Sequence, residues 1–364
     1  MFGPTEAQAL ETVGFSPRWH ALFEPFATRG LTLARVVRTD RGSVLIATAE
    51  GVIRAKPSPA FLKDASGLAG LPAVGDWVAV LTKGGVEIAL IEAVLERASA
   101  ITRGDPGGTS GIQVLAANID TVFVVHPIAE EPNLRRIERE LSLAWDSGAV
   151  PVVVLTKADL SPDPGSARES VRAIAPDTDV LLTSALASGG AEVLLPYISG
   201  HRTAVLVGPS GAGKSTLINA LLGQQRQATR EVRVSDGHGR HTTVARELIQ
   251  MPGGGVLIDT PGIRAIGLTG SEEGISSAFP EIDEASRSCR FRDCTHTGEP
   301  GCAVQSAVDS GALPAERLAN YFKLLREAQV AAAKTDVRLR AEEERKGKSI
   351  AQARRDLNAR AERG

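Results

Sequence analysis

At 364 residues and 43% hydrophobic, the chain is long enough for two or three domains and too apolar for a mainly disordered protein. Its 41 lysines and arginines against 43 aspartates and glutamates leave a net charge of −2, which excludes a wholesale polybasic nucleic-acid binder, and 4% aromatics disfavour base stacking as the main mode of recognition. No apolar run approaches the ~18 residues of a membrane helix, Glu6 and Glu11 stand where a secretory signal would be basic and then apolar, and all three cysteines fall between 289 and 302, so a cytoplasmic, reduced protein is expected.

In chain order, residues 1–30 read as a loosely structured leader. Residues 31–103 hold short strands. Leu31, Leu33, Val36 and Val37 begin the pattern, Val44–Ala47 and Val52–Ala55 flank Glu50-Gly51, and Val78 and Val80 alternate after Gly75-Asp76. Gly84-Gly85 between Leu81 and Val86 is a hairpin signal. Strands this short and close predict a small β-barrel of OB type, although periodicity alone does not separate it from an SH3-like barrel. Residues 113–272 change to α/β texture. Runs at Thr121–Val125, Val150–Leu155, Val180–Leu182, Ala204–Val207 and Val256–Ile258 predict buried parallel strands, and Leu134, Ile137, Leu141 and Ala144 repeat at helical spacing. Such alternation predicts a doubly wound sheet with its ligand at the carboxyl ends of the strands. Residues 275–335 carry the cysteines and a helical run from Glu316 to Ala333, and 336–364 form a charged tail.

Gly208-Pro209-Ser210-Gly211-Ala212-Gly213-Lys214-Ser215-Thr216 fits G-x-x-x-x-G-K-[ST], after a strand and before the apolar helix positions Leu217, Ile218 and Leu221. Glycines let backbone amides wrap phosphates, and the helix N-terminus adds its dipole. Lys214 is expected on the β- and γ-phosphates and Ser215 on magnesium. The apolar strand Val256-Leu257-Ile258 ends in Asp259-Thr260-Pro261-Gly262, which places Asp259 to support magnesium and the Gly262 amide to sense the γ-phosphate. Thr156-Lys157-Ala158-Asp159 ends another strand. Asp159 there can accept from guanine N1 and N2, a donor pair adenine lacks, while the Lys157 stem lies along the base and Ser184-Ala185 offers an amide to O6. Cys289, Cys294, His296 and Cys302 make a closed donor set of three thiolates and an imidazole, expected to hold one structural zinc.

These residues resemble the GTPase signature motifs in permuted order, with the base-reading loops TKAD and TSA ahead of the phosphate loop and DTPG. With the barrel before and the cysteines after, the chain resembles the circularly permuted ribosome small-subunit-dependent GTPase A family (RsgA, also called YjeQ) from about 30 to about 330. The resemblance implies a permuted P-loop GTPase domain between an N-terminal OB-type barrel and a C-terminal zinc-binding helical domain. It also implies a protein that binds GTP or GDP with magnesium, carries one zinc, and acts on the small ribosomal subunit (30S) and its 16S rRNA in late maturation, with hydrolysis stimulated by the subunit; the sequence gives no reason to invoke an oligomer, so a monomer is expected. The family usually has Asn where this chain has Thr156, which implies loss of an amide tying the base loop to the phosphate loop and weaker nucleotide affinity.

Ile263 stands where Ras-type enzymes place the water-orienting glutamine, so slow intrinsic hydrolysis is expected. Gly237–Thr243 lies where switch I belongs. His241 is the candidate for positioning water, and by resemblance Thr242 and Thr243 complete the magnesium shell. Lys214, Thr243 and His241 are thus the candidate catalytic set. His20, His126, His201 and His238 have no such company and read as ordinary surface or core residues. The barrel segment has nine basic and seven acidic side chains with only Phe61 and Trp77 aromatic, so contact with RNA phosphate and shape is expected over stacking. Two competing readings are a P-loop ATPase or nucleotide kinase with a zinc module, and an RNA-binding scaffold whose nucleotide site is only structural.

Overall fold

The structure, a computed structural model, describes residues 4–40, 42–65, 67–82, 88–104, 112–187, 189–223, 246–259 and 271–330. The expected loose leader is instead ordered. Helices α1 (Pro4–Glu11) and α2 (Pro17–Ala27) and the turn between them bury Leu10, Val13, Phe15, Trp19 and Phe23. Trp19 stacks on Trp77 at 5.7 Å between ring centroids and Phe15 meets it edge-on at 5.8 Å. A turn at Gly14, φ +85°, folds the apolar residues of both helices onto one surface.

The next five strands are β1 (Thr32–Asp40), β2 (Ser43–Thr48), β3 (Gly51–Pro57), β4 (Trp77–Leu81) and β5 (Ile88–Val94). They close in the order β1-β2-β3-β5-β4-β1, with β3 and β5 parallel and the other pairs antiparallel. This five-stranded, partly parallel closure is the OB arrangement and decides against an SH3-like barrel. Alternate residues Ala34, Val36, Ile46, Val78, Val80 and Ile91 fill its interior. The glycine pair at 84–85 lies outside the described residues, but β4 and β5 pair antiparallel on either side of it.

A separate hairpin, β6 (Ala100–Gly104) with β7 (Ile112–Ala117), leads to the α/β unit. There β8 (Thr121–Pro127), β9 (Val150–Thr156), β10 (Asp179–Leu182), β11 (Thr203–Val207) and β13 (Val256–Asp259) run parallel in the order β10-β9-β8-β11-β13. Their side chains alternate between two cores. Val122, Val124, Val153, Leu155 and Val205 face α4 (Leu134–Asp146) and α5 (Pro164–Ile174) through Ile137, Leu141 and Val171. Phe123, Val125, Val152, Val154 and Ala204 face α6 (Leu195–Ile198) and α7 (Lys214–Leu222) through Ile198, Leu217 and Ile218. A further strand unread in the sequence, β12 (Arg246–Gln250), pairs antiparallel with β13 and, through Arg38–Glu247 and Thr39–Arg246, with barrel strand β1. Barrel and α/β unit thus share one eleven-stranded sheet.

The Arg35 guanidinium is buried where these units meet. It donates to the Val13 carbonyl in the leader, to Gly75 O in the barrel at 3.1 Å and to Thr203 Oγ1 on β11 at 2.9 Å. Burial lowers its pKa to about 10, opposed by the charges of Asp120 and Asp76, so it stays protonated.

The C-terminal region comprises α8 (Glu272–Ala278), α9 (Pro280–Ser286), α10 (Ala303–Asp309) and α11, helical from 315 to 330. The expected helix residues 331–333 and the tail 336–364 lie outside the described residues. Arg317 on α11 joins this region to the α/β unit. It donates to Glu138 Oε1 on α4 at 2.7 Å, to both oxygens of Glu281 and to the Ala278 carbonyl, above the Phe279 ring. Asn320 donates to the other Glu138 oxygen. No helix among the described residues is long and apolar enough to cross a membrane.

Candidate nucleotide-binding site and metal centre

The motifs meet at the carboxyl edge of the parallel strands. Strand β11 runs into Gly208, whose φ of +137° only glycine adopts readily, and a Cβ there would lie 2.1 Å from Val125 O. Gly211 and Gly213 also have positive φ, and Gly213 opens α7. Lys214 Nζ donates across the loop to Gly208 O at 2.7 Å and Pro209 O at 2.6 Å, which holds the ammonium over the loop's mouth. Ser215 and Thr216 follow in the first turn of α7, where backbone N–H groups have no partner within the helix. On the neighbouring strand the Val205–Ile258 pairing places Asp259 one residue further, level with the approach to the phosphate loop.

The segment expected to read the base is in direct contact with this loop. Thr156, at the end of β9, is 2% exposed, and its Oγ1 donates to Ala212 O at 2.6 Å. The tie expected to disappear with the missing asparagine amide is therefore kept. A shorter hydroxyl reaches the same loop because Gly213 brings the backbone close, where an added Cβ would lie 3.7 Å from Thr156 Oγ1. The next residue, Lys157, is left-handed at φ 57°, which turns the chain so that Ala158 and Asp159 begin a short 3-10 helix. The two base loops are laced together, with Thr183 N bonded to Leu155 O at 2.9 Å and Ala158 N to Thr183 O at 3.2 Å. Ser184 and Ala185 follow directly. Their loop is closed by a hydrogen bond from Thr183 Oγ1 to Gly190 O, and a Cβ on Gly190 would lie 1.8 Å from Ser184 O. Gly190 and the Ala212 carbonyl are supports that motif reading missed. A second glycine shortly after TSA was the available signal for the first. His241, Thr242, Thr243, Gly262 and Ile263 lie outside the described residues.

The hydrogen bond from Thr156 carries a prediction. Thr156→Val keeps the shape and removes the donor, leaving Ala212 O buried without it. GDP affinity is expected to fall by about tenfold, as a lost buried hydrogen bond of about 1–3 kcal/mol implies, and Thr156→Asn is expected to retain it. Titration with a fluorescent guanine nucleotide checks this, and equal affinity for Thr156→Val and wild type would remove the tie from the site.

Of the remaining histidines, His126 is a buried partner of Glu140, with Nε2 to Oε2 at 2.7 Å, and His201 Nδ1 meets Glu11 O at 3.0 Å. His238 lies outside the described residues.

The second cluster is compact. Cys289, Cys294, His296 and Cys302 bring their donor atoms within 4.8 Å of one another. Cys289 Sγ lies 4.0 Å from Cys302 Sγ, and His296 Nδ1 lies 3.6 and 3.5 Å from those two sulfurs. Four such ligands at zinc bond lengths would be about 3.8 Å apart for S–S and about 3.6 Å for S–N, whereas a disulfide requires about 2.05 Å. Backbone amides of Ala303 and Gln305 donate to Cys289 Sγ and Cys302 Sγ at 3.4 Å, as suits thiolates. The donors fit a tetrahedral zinc and leave no open position for catalysis.

Comparison with known proteins agrees with this geometry. The RsgA GTPase family model matches residues 94–269, and a 50S ribosome-binding GTPase model matches 203–346. A small ribosomal subunit biogenesis GTPase RsgA from Streptomyces coelicolor is 49% identical, covering 92% of this chain and 90% of its own. Its namesake from Opitutus terrae is 43% identical, covering 95% and 97%. Among solved structures, YjeQ from Thermotoga maritima superposes with a TM-score of 0.63 at 27% identity, over 82% of this chain and 99% of its own. YloQ, described as a circularly permuted GTPase, superposes at 0.61 and 24% identity, over 83% and 96%, and speaks to the fold. With relatives of this name 49% and 43% identical over more than nine-tenths of the chain, and its GTPase unit built between an OB-type barrel and a Cys3His cluster, the chain belongs to the RsgA family of circularly permuted GTP hydrolases.

Proposed function

We propose that the chain hydrolyses GTP as a maturation factor of the small ribosomal subunit, binding its 16S rRNA and using the subunit as activator. The contact between Thr156 and Ala212 carries the nucleotide half of this reading, because it joins a base-reading loop to a phosphate loop 56 residues further along the chain. Full-length relatives named for small-subunit biogenesis support the other half.

In this reading Asp159 accepts from guanine N1 and N2, Lys157 lies along the base, and Ser184 and Ala185 present backbone to O6. Gly208 to Gly213 wrap the phosphates, Lys214 exchanges its two carbonyl partners for β- and γ-phosphate oxygens, and Ser215 and Asp259 hold magnesium with Thr243. The metal supplies charge neutralisation on the phosphates. His241 positions water, Thr242 supports the same segment and Gly262 senses the γ-phosphate, roles that rest on the sequence. Zinc holds the Cys3His segment as a structural ion. The barrel at 31–103 and the zinc-bearing region at 275–335 grip RNA around the GTPase unit at 113–272. The protein works as a cytoplasmic monomer.

Phosphate release from GTP, measured with and without small subunits, tests the proposal. Stimulation by subunits is expected, with GTP but not ATP displacing bound guanine nucleotide. Lys214→Ala should lower the stimulated rate about 10²–10³-fold, the usual cost of removing one transition-state charge contact. A rate indifferent to subunits would refute the assignment.

A further inference from the structure

The turn between the first two cysteines holds an aromatic ring out in solvent. Arg290, Phe291, Arg292 and Asp293 fill it, and all four residues are exposed. Of the large apolar side chains exposed among the described residues, Phe291, at 44%, is the only aromatic one, whereas Trp77 of the barrel is fully buried. The ring is held in place. The Arg290 amide donates to Gly301 O at 3.1 Å, and the Phe291 carbonyl accepts from Cys294 N at 3.3 Å, which pins the turn on both sides beside ligands of the metal centre. Gly301, at φ +78°, leaves room for the Arg290 stem, since a Cβ there would lie 3.0 Å from Arg290 Cβ and 3.3 Å from its Cδ. The stem carries its guanidinium over the Phe291 ring, 5.4 Å from the centroid. Among the described residues neither the Arg290 nor the Arg292 guanidinium makes a hydrogen bond or an ion pair.

An exposed ring beneath one unpaired arginine and beside another matches the chemistry of an unpaired nucleotide. A splayed base stacks on aromatic faces and guanidinium planes, and arginine's fork fits the paired oxygens of its phosphate. An acidic protein segment would answer the two arginines but not the ring, and a continuous duplex keeps its base faces stacked on one another. We propose that Phe291 and Arg290 form a stacking platform for one unpaired base of RNA, with Arg292 on an adjoining phosphate. The platform rests on the reading of rRNA as partner and adds to it a residue and a mode of contact. It is a single contact, in keeping with a chain whose aromatics are few and mostly interior.

Full chains carrying Phe291→Leu, Phe291→Tyr or Arg292→Gln are titrated against small subunits and against a single-stranded RNA containing 2-aminopurine, over a range of KCl. The wild type should quench the 2-aminopurine. Phe291→Leu, which keeps apolar bulk and removes the ring, should abolish the quenching and weaken both bindings about tenfold at every salt concentration, as loss of one stacked base implies. Phe291→Tyr keeps the ring and should bind as the wild type does. Arg292→Gln leaves the ring untouched should leucine disturb the turn, and should make the slope of log K against log salt for the RNA shallower by about 0.7. Wild-type affinity and quenching in Phe291→Leu, or a wild-type slope in Arg292→Gln, would overturn the platform. So would subunit binding that depends on Phe291 without quenching of the RNA, which would assign the ring to a protein of the subunit. Phe291-dependent quenching by a protein that ignores subunits would support the platform and refute the ribosomal reading instead.

Discussion

Removal of zinc is expected to melt the segment from Cys289 to Cys302 while the nucleotide-binding sheet stays folded. Most residues of that segment are exposed or half-exposed, and its Phe291 is 44% exposed, so it has little core of its own. The Glu299 carboxylate does brace it, accepting from the Thr295 hydroxyl and from the Thr295 and Thr297 amides, and the Thr295 hydroxyl bond leads in holding its pKa down to about 2. Those hydrogen bonds lie at the exposed surface, and the four metal ligands remain the main constraint. Apparent binding energies of structural zinc in finger peptides are about 10–16 kcal/mol, and folding is what they drive. Helix α10 should fray as well, because Cys302 is its N-cap and accepts from Gln305 N. One zinc per chain by elemental analysis, and selective cleavage between 289 and 302 after chelation, would be the result. A chelated protein that resists protease there as well as the untreated one would show that the cluster is not a zinc site.

Arg317→Ala should destabilise the protein by about 3–5 kcal/mol, the cost of removing one partner from a buried ion pair. Arg317 and Glu138 are 5% and 3% exposed, and a single guanidinium there serves two carboxylates. Burial already raises the pKa of Glu138, which Arg317 opposes. The sign of the pH effect follows. With a folded pKa above the unfolded one, the native state holds an extra proton between the two, so stability falls as pH rises through that window. Deleting Arg317 raises the folded pKa further and widens the window. The loss should therefore be larger at pH 8 than at pH 5, and Glu138→Gln should recover part of it. Thermal melts of the two single variants and the double variant at both pH values decide the matter, and a pH-independent loss below 1 kcal/mol would mean that the network does not hold the C-terminal region in place.

Much of the candidate site was legible because its chemistry demands fixed residues at fixed offsets. A glycine whose Cβ would be driven into Val125 O, a lysine at the mouth of a loop and four metal-ligating side chains within fourteen positions leave a mark in any order of encoding. The five parallel strands were legible as apolar runs because both faces of their sheet are covered. Strand β12 was not, since Arg246, Glu247 and Gln250 leave only Leu248 and Ile249 apolar. The leader misled for another reason. Its two helices are short, broken at Gly14, and carry Pro17 and Pro25, so their apolar residues follow no single period and find their common surface only in three dimensions. Arg35 is beyond any pattern, because an arginine is expected at the surface and this one is buried through acceptors far apart in the chain. Thr156 was read by functional group, an amide lost, when reach decided the outcome.

The spatial order of the α/β strands has a bearing on how the molecule is made. The first three strands of that unit to leave the ribosome, β8, β9 and β10, are also three adjacent strands at one side of the sheet, and β11 adds to the edge that β8 leaves open. Chains begin to fold from the N-terminus during synthesis, so the proposed wall for the base can assemble on its own while the phosphate loop is still untranslated. The last pieces to arrive, β12 and β13, fill the gap between that growing edge and a barrel already complete. A nascent chain of this protein therefore has no competent pocket to fill until its seven-tenths point has emerged.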